Sequence, residues 1–345
     1  MIEDLASRRV AIIGGAGFIG HNLALALKDR GVEVEVVDGL EVNHLVHYAS
    51  LPTSEPNRNL YLAMLLERLK LLEDAGVPLR RQDARDYNGL SRVLGEFQPD
   101  TIVHLAAVAH ANRSNKDPYS TFDHSMRTLE NALDWGRASS LHRFIFFSSS
   151  MVYGNFLTES VAEDHPLDPI GIYGALKLGG EKLVIAYNQV FEMPFTIVRP
   201  SALYGPRCVS RRVSQAFIES AIVGDTLRVD GEGDEKIDFT YIDDVVNGVL
   251  RCIEHDGARN EIFNMTAGKA RSLRDLVTLV QQHFPEIEVE YVERDRLRPF
   301  RGTLSMDKAR ELIGHVPQVE LEDGLRRYVE WYRELTSRAA EPVFS

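Results

Sequence analysis

Cysteine is scarce in this chain: Cys208 and Cys252 are the only two among 345 residues. Neither stands at metal-ligand spacing from other ligating residues, so both read as reduced, structural thiols of a reducing compartment. Histidines such as His44, His47 and His124 show no metal spacing either, and no metal is expected. No apolar run reaches the roughly 18–20 residues that a membrane helix needs. The opening Met1-Ile2-Glu3-Asp4 has neither the basic region nor the apolar core of a signal peptide, which makes the cytoplasm the expected location. Positive charge is also in deficit, with 39 Lys and Arg against 51 Asp and Glu and a formal net charge of −12. That balance argues against nucleic acid or an anionic membrane as partner, and an anionic small molecule would need a local basic patch. Repeats and low-complexity tracts are absent. What remains is an ordinary globular composition, long enough for one large domain or two modest ones.

The chain is organised around its start. The apolar run Val10–Ile13 feeds three glycines, Gly14, Gly17 and Gly20, and a helical pattern of Leu23, Leu25, Ala26 and Leu27 follows. A strand, a glycine turn and a helix in that order let the backbone approach a pyrophosphate while the helix N-terminus offers free N–H groups. A second strand, 32–37, ends in Asp38, eighteen residues after Gly20, near the spacing of a ribose-binding carboxylate.

Strands and helices then alternate. Strands are expected at 79–81, 101–107, 143–147 and 195–199, with helices at about 87–96, 118–139 and 173–187, an order that predicts an α/β, doubly wound parallel sheet. A segment at 39–80 interrupts it. Its helix at about 58–75 carries leucines on more than one face, and reads either as packing on the body or as a subunit contact or cap near the adenosine pocket. After Pro200 the rhythm changes to short segments and helices. A dinucleotide-binding domain over 1–200, including the 39–80 insertion, and a mainly substrate-binding α+β lobe over 201–345 are therefore expected, with some chain returning to the sheet.

The decisive pair is Tyr173 and Lys177, four apart on one helix face. A lysine ammonium beside a phenol favours phenolate, and a phenol so tuned can take a proton from a sugar hydroxyl while hydride leaves the same carbon. The pair follows Ser149 by twenty-four residues.

With these motifs the chain resembles an extended short-chain dehydrogenase/reductase of the NAD-dependent sugar epimerase/dehydratase family, over about residues 8–335. Carrying the likeness are the glycine turn, Asp38, Asp83-Ala84-Arg85-Asp86, His104-Leu105-Ala106-Ala107, Ser148 to Gly154, Tyr173-x-x-x-Lys177, Arg199-Pro200, Tyr204-Gly205-Pro206-Arg207, Asp238 to Asp244 and Ile262-Phe263-Asn264. The resemblance implies a Rossmann-type sheet and NAD. Gly14, Gly17, Phe18, Ile19 and Gly20 would hold the pyrophosphate, and Asp38 the adenosine ribose, disfavouring NADP. Asp83 and Ala84 would border the adenine, and Leu105, Ala106 and Ala107 would line the cleft. Ser149 would hydrogen-bond the reacting oxygen, Tyr173 would be general base and acid, and Lys177 would hold the nicotinamide ribose and tune Tyr173. A homodimer built on helices at about 118–139 and 172–188 is also implied.

Departures from the family pattern choose the reaction. Dehydratases of the family carry an acidic pair after the catalytic Ser/Thr, and decarboxylating members often keep one acid; here Ser150 and Met151 stand there. A 4-epimerase acting through a transient 4-keto sugar fits best. A dehydratase, a decarboxylase, a net oxidoreductase on a related or non-nucleotide substrate, and a non-catalytic NAD-binding regulator stay open as alternatives. The usual diphosphate-gripping Asn and Arg are replaced by Ala202 and Ile237, and Ser125 stands for another common Asn. Arg207, Arg298 and Arg301, with Arg211, Arg212 and Lys236 behind them, are candidates to replace that grip. His110, Arg113 and Ser150 are expected on the substrate side of a nucleotide-sugar site.

Overall fold

Strand β1 (Arg9–Ile13) buries Val10, Ala11, Ile12 and Ile13 completely, as a strand covered on both faces must. It leads through the glycine turn into α1 (Phe18–Asp29) and β2 (Glu33–Asp38). The structure, a computed structural model, describes residues 4–42, 44–55, 57–108 and 111–340. The insertion forms α2 (Leu45–Ser50) and α3 (Arg58–Asp74) before β3 (Leu79–Arg81), α4 (Tyr87–Phe97) and β4 (Thr101–His104). Next come α5 (Ala111–Lys116), α6 (Pro118–Phe122), α7 (Thr128–Arg137), β5 (Arg143–Phe147), the short β6 (Ser160–Val161), α8 (Gly171–Phe191) and β7 (Phe195–Pro200). The later half supplies β8 (Leu203–Tyr204), α9 (Val213–Val223), β9 (Leu227–Asp230), β10 (Lys236–Ile237), β11 (Thr240–Tyr241), α10 (Ile242–Glu254) and β12 (Glu261–Met265). It ends with β13 (Arg271–Ser272), α11 (Leu273–His283), β14 (Val289–Val292), β15 (Thr303–Leu304), α12 (Asp307–Ile313) and α13 (Leu321–Ala340).

Seven parallel strands form one sheet in the order β12-β7-β5-β4-β1-β2-β3. This is the doubly wound, Rossmann-type sheet expected. Along β1 the side chains alternate between faces: Val10 and Ile12 join a core with Leu23 and Leu27 of α1 and Val245 and Val249 of α10, while Ala11 and Ile13 join one with Leu90 and Leu94 of α4 and Leu129 and Leu133 of α7. The chain winds outward from β1 to β3, then restarts at β4 on the other side. That reversal opens a crevice at the carboxyl ends of β1 and β4.

The later half is interleaved with the first. β12 pairs with β7 as the edge of the main sheet, and α10 packs on α1. Residue 200 therefore divides the sequence more sharply than the fold. The strand expected at 101–107 stops at His104, because Leu105 and Ala106 leave it to donate their N–H groups to the Ile13 carbonyl, at 2.8 and 3.0 Å. The helix expected over 118–139 is broken by a π turn at Asp123–Arg127, a device that shifts the register of side chains along a helix. His124 and Thr128 thereby reach the crevice wall. In the insertion, α3 turns Tyr61, Met64, Leu65 and Leu72 inward and packs on α1, while Leu66 stays exposed. Among the described residues no helix is long and apolar enough to cross a membrane, and no group of His, Cys, Asp and Glu is arranged to hold a metal ion.

Candidate active site

Two adjoining cavities open at the carboxyl ends of the strands. The first, about 1090 Å³ counting space open to solvent, is lined by Gly14, Gly17, Phe18, Ile19, Gly20, Asp38, Asp83, Ala84, Leu105, Ala106 and Ala107. The residues expected at the pyrophosphate, ribose and adenine thus face one cleft, whereas of the two expected at the nicotinamide end Tyr173 lines the adjoining cavity and Lys177 lines neither. Gly14 has φ +82°, and a Cβ there would stand 2.7 Å from the Ala106 backbone nitrogen. At Gly20 a Cβ would meet the Gly15 Cα at 2.4 Å. The turn is packed against β4's exit and against itself, so only glycine lets α1 start beneath the cleft.

The Asp38 carboxylate holds that turn in shape. Oδ2 accepts the Ala16 N–H at 3.0 Å and Oδ1 the Leu40 N–H at 2.8 Å. Burial raises its pKa, and these two N–H groups pull it back. An acid there suits ribose hydroxyls and repels a 2′-phosphate. Asp83's carboxylate is held by Arg85, whose Nε lies 3.0 Å from both its oxygens. The sequence reading missed other residues of this wall: Val42, His44 and Arg68 from the insertion, Gln82, and His124 and Thr128 from the π turn.

The second cavity contains Ser149, Ser150, Met151, Tyr173, Ala202, Ile237, Arg298 and Arg301, together with Asn112, Asn115, Arg211 and Arg212. β5 delivers the serine: Ser149 caps the short turn after that strand, its Oγ accepting the Met151 N–H at 3.2 Å. α8 delivers Tyr173 and Lys177 one turn apart. Burial pushes the Tyr173 phenol up, while the Arg212 charge and a hydrogen bond with Ser149 draw it down. Lys177 stands one turn further along the same helix. Its ammonium donates to the Phe147 carbonyl at 2.6 Å and lies 5.9 Å from the Tyr173 ring centroid. Burial lowers Lys177 to about 8, against a raising contribution from Glu181. Glu181, one turn further on, receives Arg199 at 2.9 and 2.7 Å and the Ser148 hydroxyl at 2.5 Å. A buried ion pair therefore braces the helix that presents Lys177.

The remaining expectations divide. Arg298 and Arg301 line the second cavity, paired with Asp230 and Glu235. Arg207 does not. Its backbone turns to φ +65° and its guanidinium lies over α1, donating to His21 Nε2 at 3.0 Å and Asn22 Oδ1 at 3.2 Å, with Glu67 beyond at 3.3 Å. It joins the second half to the first and takes no place in the substrate cavity. Lys236 points away as well, to the exposed Glu159 at 2.6 Å. Arg113 lies off the cavity wall, its field reaching His47 and Tyr48. His110 lies outside the described residues. Ala202 and Ile237 make the neighbouring wall apolar, and Ala202 sits at φ +35°, a conformation that asparagine tolerates better than alanine. Ser125 has a structural contact, accepting the Val108 N–H at 3.3 Å.

A dinucleotide cleft at a strand-order reversal, opening beside a serine, a tyrosine and a lysine, defines a nicotinamide-dependent enzyme that works on a carbon bearing a hydroxyl group. The comparisons agree. The NAD dependent epimerase/dehydratase family matches residues 10–266. A UDP-glucose 4-epimerase of Mycolicibacterium smegmatis is 28% identical over 332 residues, covering 94% of this chain and 98% of the relative. A dTDP-glucose 4,6-dehydratase of Actinoplanes is 25% identical over 327 residues, covering 94% and 98%. The crystal structure of a UDP-glucuronic acid 4-epimerase from Bacillus cereus, solved with UDP-glucuronic acid and NAD, superposes with a TM-score of 0.85 at 25% identity, over 95% of this chain and 99% of that one. The protein belongs to the NAD dependent epimerase/dehydratase family, and NAD is its cofactor.

Proposed function

We propose that this enzyme epimerises a nucleotide sugar at C4. The observation that carries the reading is the chemistry of the second cavity. Around Tyr173 its lining is Ser149, Ser150, Met151, Asn112, Asn115 and Ala111; among the described lining residues the one carboxylate is Asp295, on the segment that carries Arg298. Loss of water from a sugar needs an acid to protonate the departing hydroxide, and among the described residues that line this cavity the positions after Ser149 are Ser150 and Met151, which carry no carboxylate. An epimerase needs none.

Bound NAD supplies a reversible hydride acceptor. Tyr173 takes the proton of the 4-hydroxyl as hydride leaves C4, and Ser149 donates a hydrogen bond to the oxygen that becomes the ketone. Arg212 would steady the phenolate, and Lys177 would hold the nicotinamide ribose. With the hydride that bound NAD would store and give back, Tyr173 would return the proton to the oxygen of the 4-keto sugar after it turns over, so no net redox change would occur.

A nucleotide diphosphate is supported by Arg211, Arg212, Arg298 and Arg301 converging on one cavity. Burial and the charges of Arg298 and Arg212 lower the Arg301 pKa despite Glu235, as expected of cations gathered to meet an anion. A homodimer through α6–α7 and α8 is supported by Tyr119, Phe122, Ile172, Leu183, Val190 and Phe191, all exposed apolar side chains on those helices. Sedimentation giving monomer alone would contradict that assembly.

The test is a panel of UDP- and dTDP-linked hexoses and uronic acids. C4 epimers should interconvert without added NAD turnover. Accumulation of NADH or of a 4-keto-6-deoxy sugar would overturn the assignment.

A further inference from the structure

The insertion places an arginine where no sequence motif points. Arg68, midway along α3, is 1% exposed and lines the dinucleotide cleft with Gly17, Phe18, Asp38 and His44. Its guanidinium meets only neutral acceptors: Nε donates to the Arg207 carbonyl at 3.0 Å, Nη2 donates to the same oxygen, and Nη1 reaches the Ala16 carbonyl at 3.5 Å. Among the described residues no carboxylate lies within ion-pair distance of it. Arg199, equally buried, is met by Glu181 at 2.7 Å. Arg143 is also buried without a carboxylate, but it lines neither cavity of the active site. The Asp38 carboxylate opposes this charge only from beyond ion-pair distance, and a buried cation with no anion in contact is unfavourable unless something else supplies the negative charge.

From this placement we infer that Arg68 is a cofactor-binding residue, its guanidinium meeting the pyrophosphate of NAD beside the glycine turn. The contact with the Ala16 carbonyl sets the charge next to the turn whose following helix presents its N-terminus to the same anion. Asp38 reaches Arg68 through its field and not by contact, its oxygens accepting the Ala16 and Leu40 N–H groups. His44 does not compete, since burial and the Arg68 charge push its pKa down to about 4 and keep it neutral. Arg68 itself is lowered to about 10 by burial and so stays charged at neutral pH.

The 39–80 insertion thereby acquires a task. It is pinned by Tyr61, whose hydroxyl donates to the buried Glu219 at 2.7 Å, and by Tyr48, whose hydroxyl donates to the Val209 carbonyl at 3.1 Å. Those anchors fix α3 so that its one inward cation reaches the cleft. The inference rests on the family's NAD dependence, not on which sugar is epimerised.

Arg68→Met and Arg68→Lys, stripped of cofactor, test it by titration with NAD, ADP and adenosine. Loss of a charge-assisted contact should weaken NAD and ADP by about 10- to 100-fold in Arg68→Met. Adenosine, which has no phosphate, should change by less than about twofold. Arg68→Lys keeps the charge without the fork, and should show a smaller loss with the same preference for ADP over adenosine; it decides the question if the methionine variant folds poorly. Unchanged NAD and ADP affinity per folded molecule, or equal losses for ADP and adenosine, would make Arg68 only a clamp between the Ala16 and Arg207 carbonyls and overturn the inference.

Discussion

Replacing Lys177 with methionine should stabilise the cofactor-free protein. Burial lowers the Lys177 pKa from 10.5 to about 8. A shift of 2.5 units, at 1.36 kcal/mol each, means that its charge opposes folding by about 3 kcal/mol at neutral pH. Methionine fills similar space but gives up the hydrogen bond to the Phe147 carbonyl, worth about 1 kcal/mol. The net gain is about 2 kcal/mol, or about 3 °C in Tm for a chain of this length. The sign with pH follows from proton counting. Between pH 8 and 10.5 the unfolded wild type binds a proton that the folded form has released, so wild-type stability rises with pH relative to the variant. The advantage of Lys177→Met should therefore be full below pH 8, shrink from there, be gone near pH 10, and give way to a deficit of about 1 kcal/mol at higher pH, where only the lost hydrogen bond remains. Thermal or urea unfolding of both proteins across that range measures it, and other titrating groups cancel in the difference. A variant less stable than wild type at neutral pH, or a gap independent of pH, would refute the reasoning. Turnover should be lost in the same variant, so that a residue kept for chemistry weakens the fold that carries it.

Tyr173→Phe removes the proton carrier but little volume. Epimer interconversion should fall by about 10²- to 10⁴-fold, while the NAD content of the purified protein is unchanged; full activity would exclude Tyr173 as base. Asp38→Ala deletes the acceptor of the Ala16 and Leu40 N–H groups together with the charge that repels a 2′-phosphate, so the preference for NAD over NADP should drop by about tenfold or more in binding titrations. Glu181→Gln leaves the buried Arg199 without its counter-charge and should destabilise by about 3–5 kcal/mol, whereas Glu181→Gln combined with Arg199→Met should lose less than the sum of the single losses. Additive losses in urea unfolding would show that the pair does not act as a unit.

What the sequence determined by itself is local. Gly14, Gly17 and Gly20 must be small because each meets backbone within a few residues or across one strand pairing, and β1, the turn and α1 are consecutive. Tyr173 and Lys177 share a face because a helix repeats every 3.6 residues. The parallel sheet follows from alternating elements, and Asp38 and Ser149 are legible as strand ends. The tertiary structure decided where side chains from distant loops arrive. Arg207 belongs to a motif yet lies over α1, because its backbone turns away at a positive φ. Arg212, from a distant loop, adds a charge near Tyr173 that no local spacing announces, while Lys177 on the same helix as Tyr173 donates to the Phe147 carbonyl. Arg68 carries no local signal at all. It looks like one more charge on a leucine-rich helix, packed on the body or capping the adenosine pocket, until the docking of that helix buries it in the cofactor cleft. Helix and strand periodicity act over neighbours in the chain, whereas the charge that a substrate or cofactor meets is the sum over residues that only packing brings together.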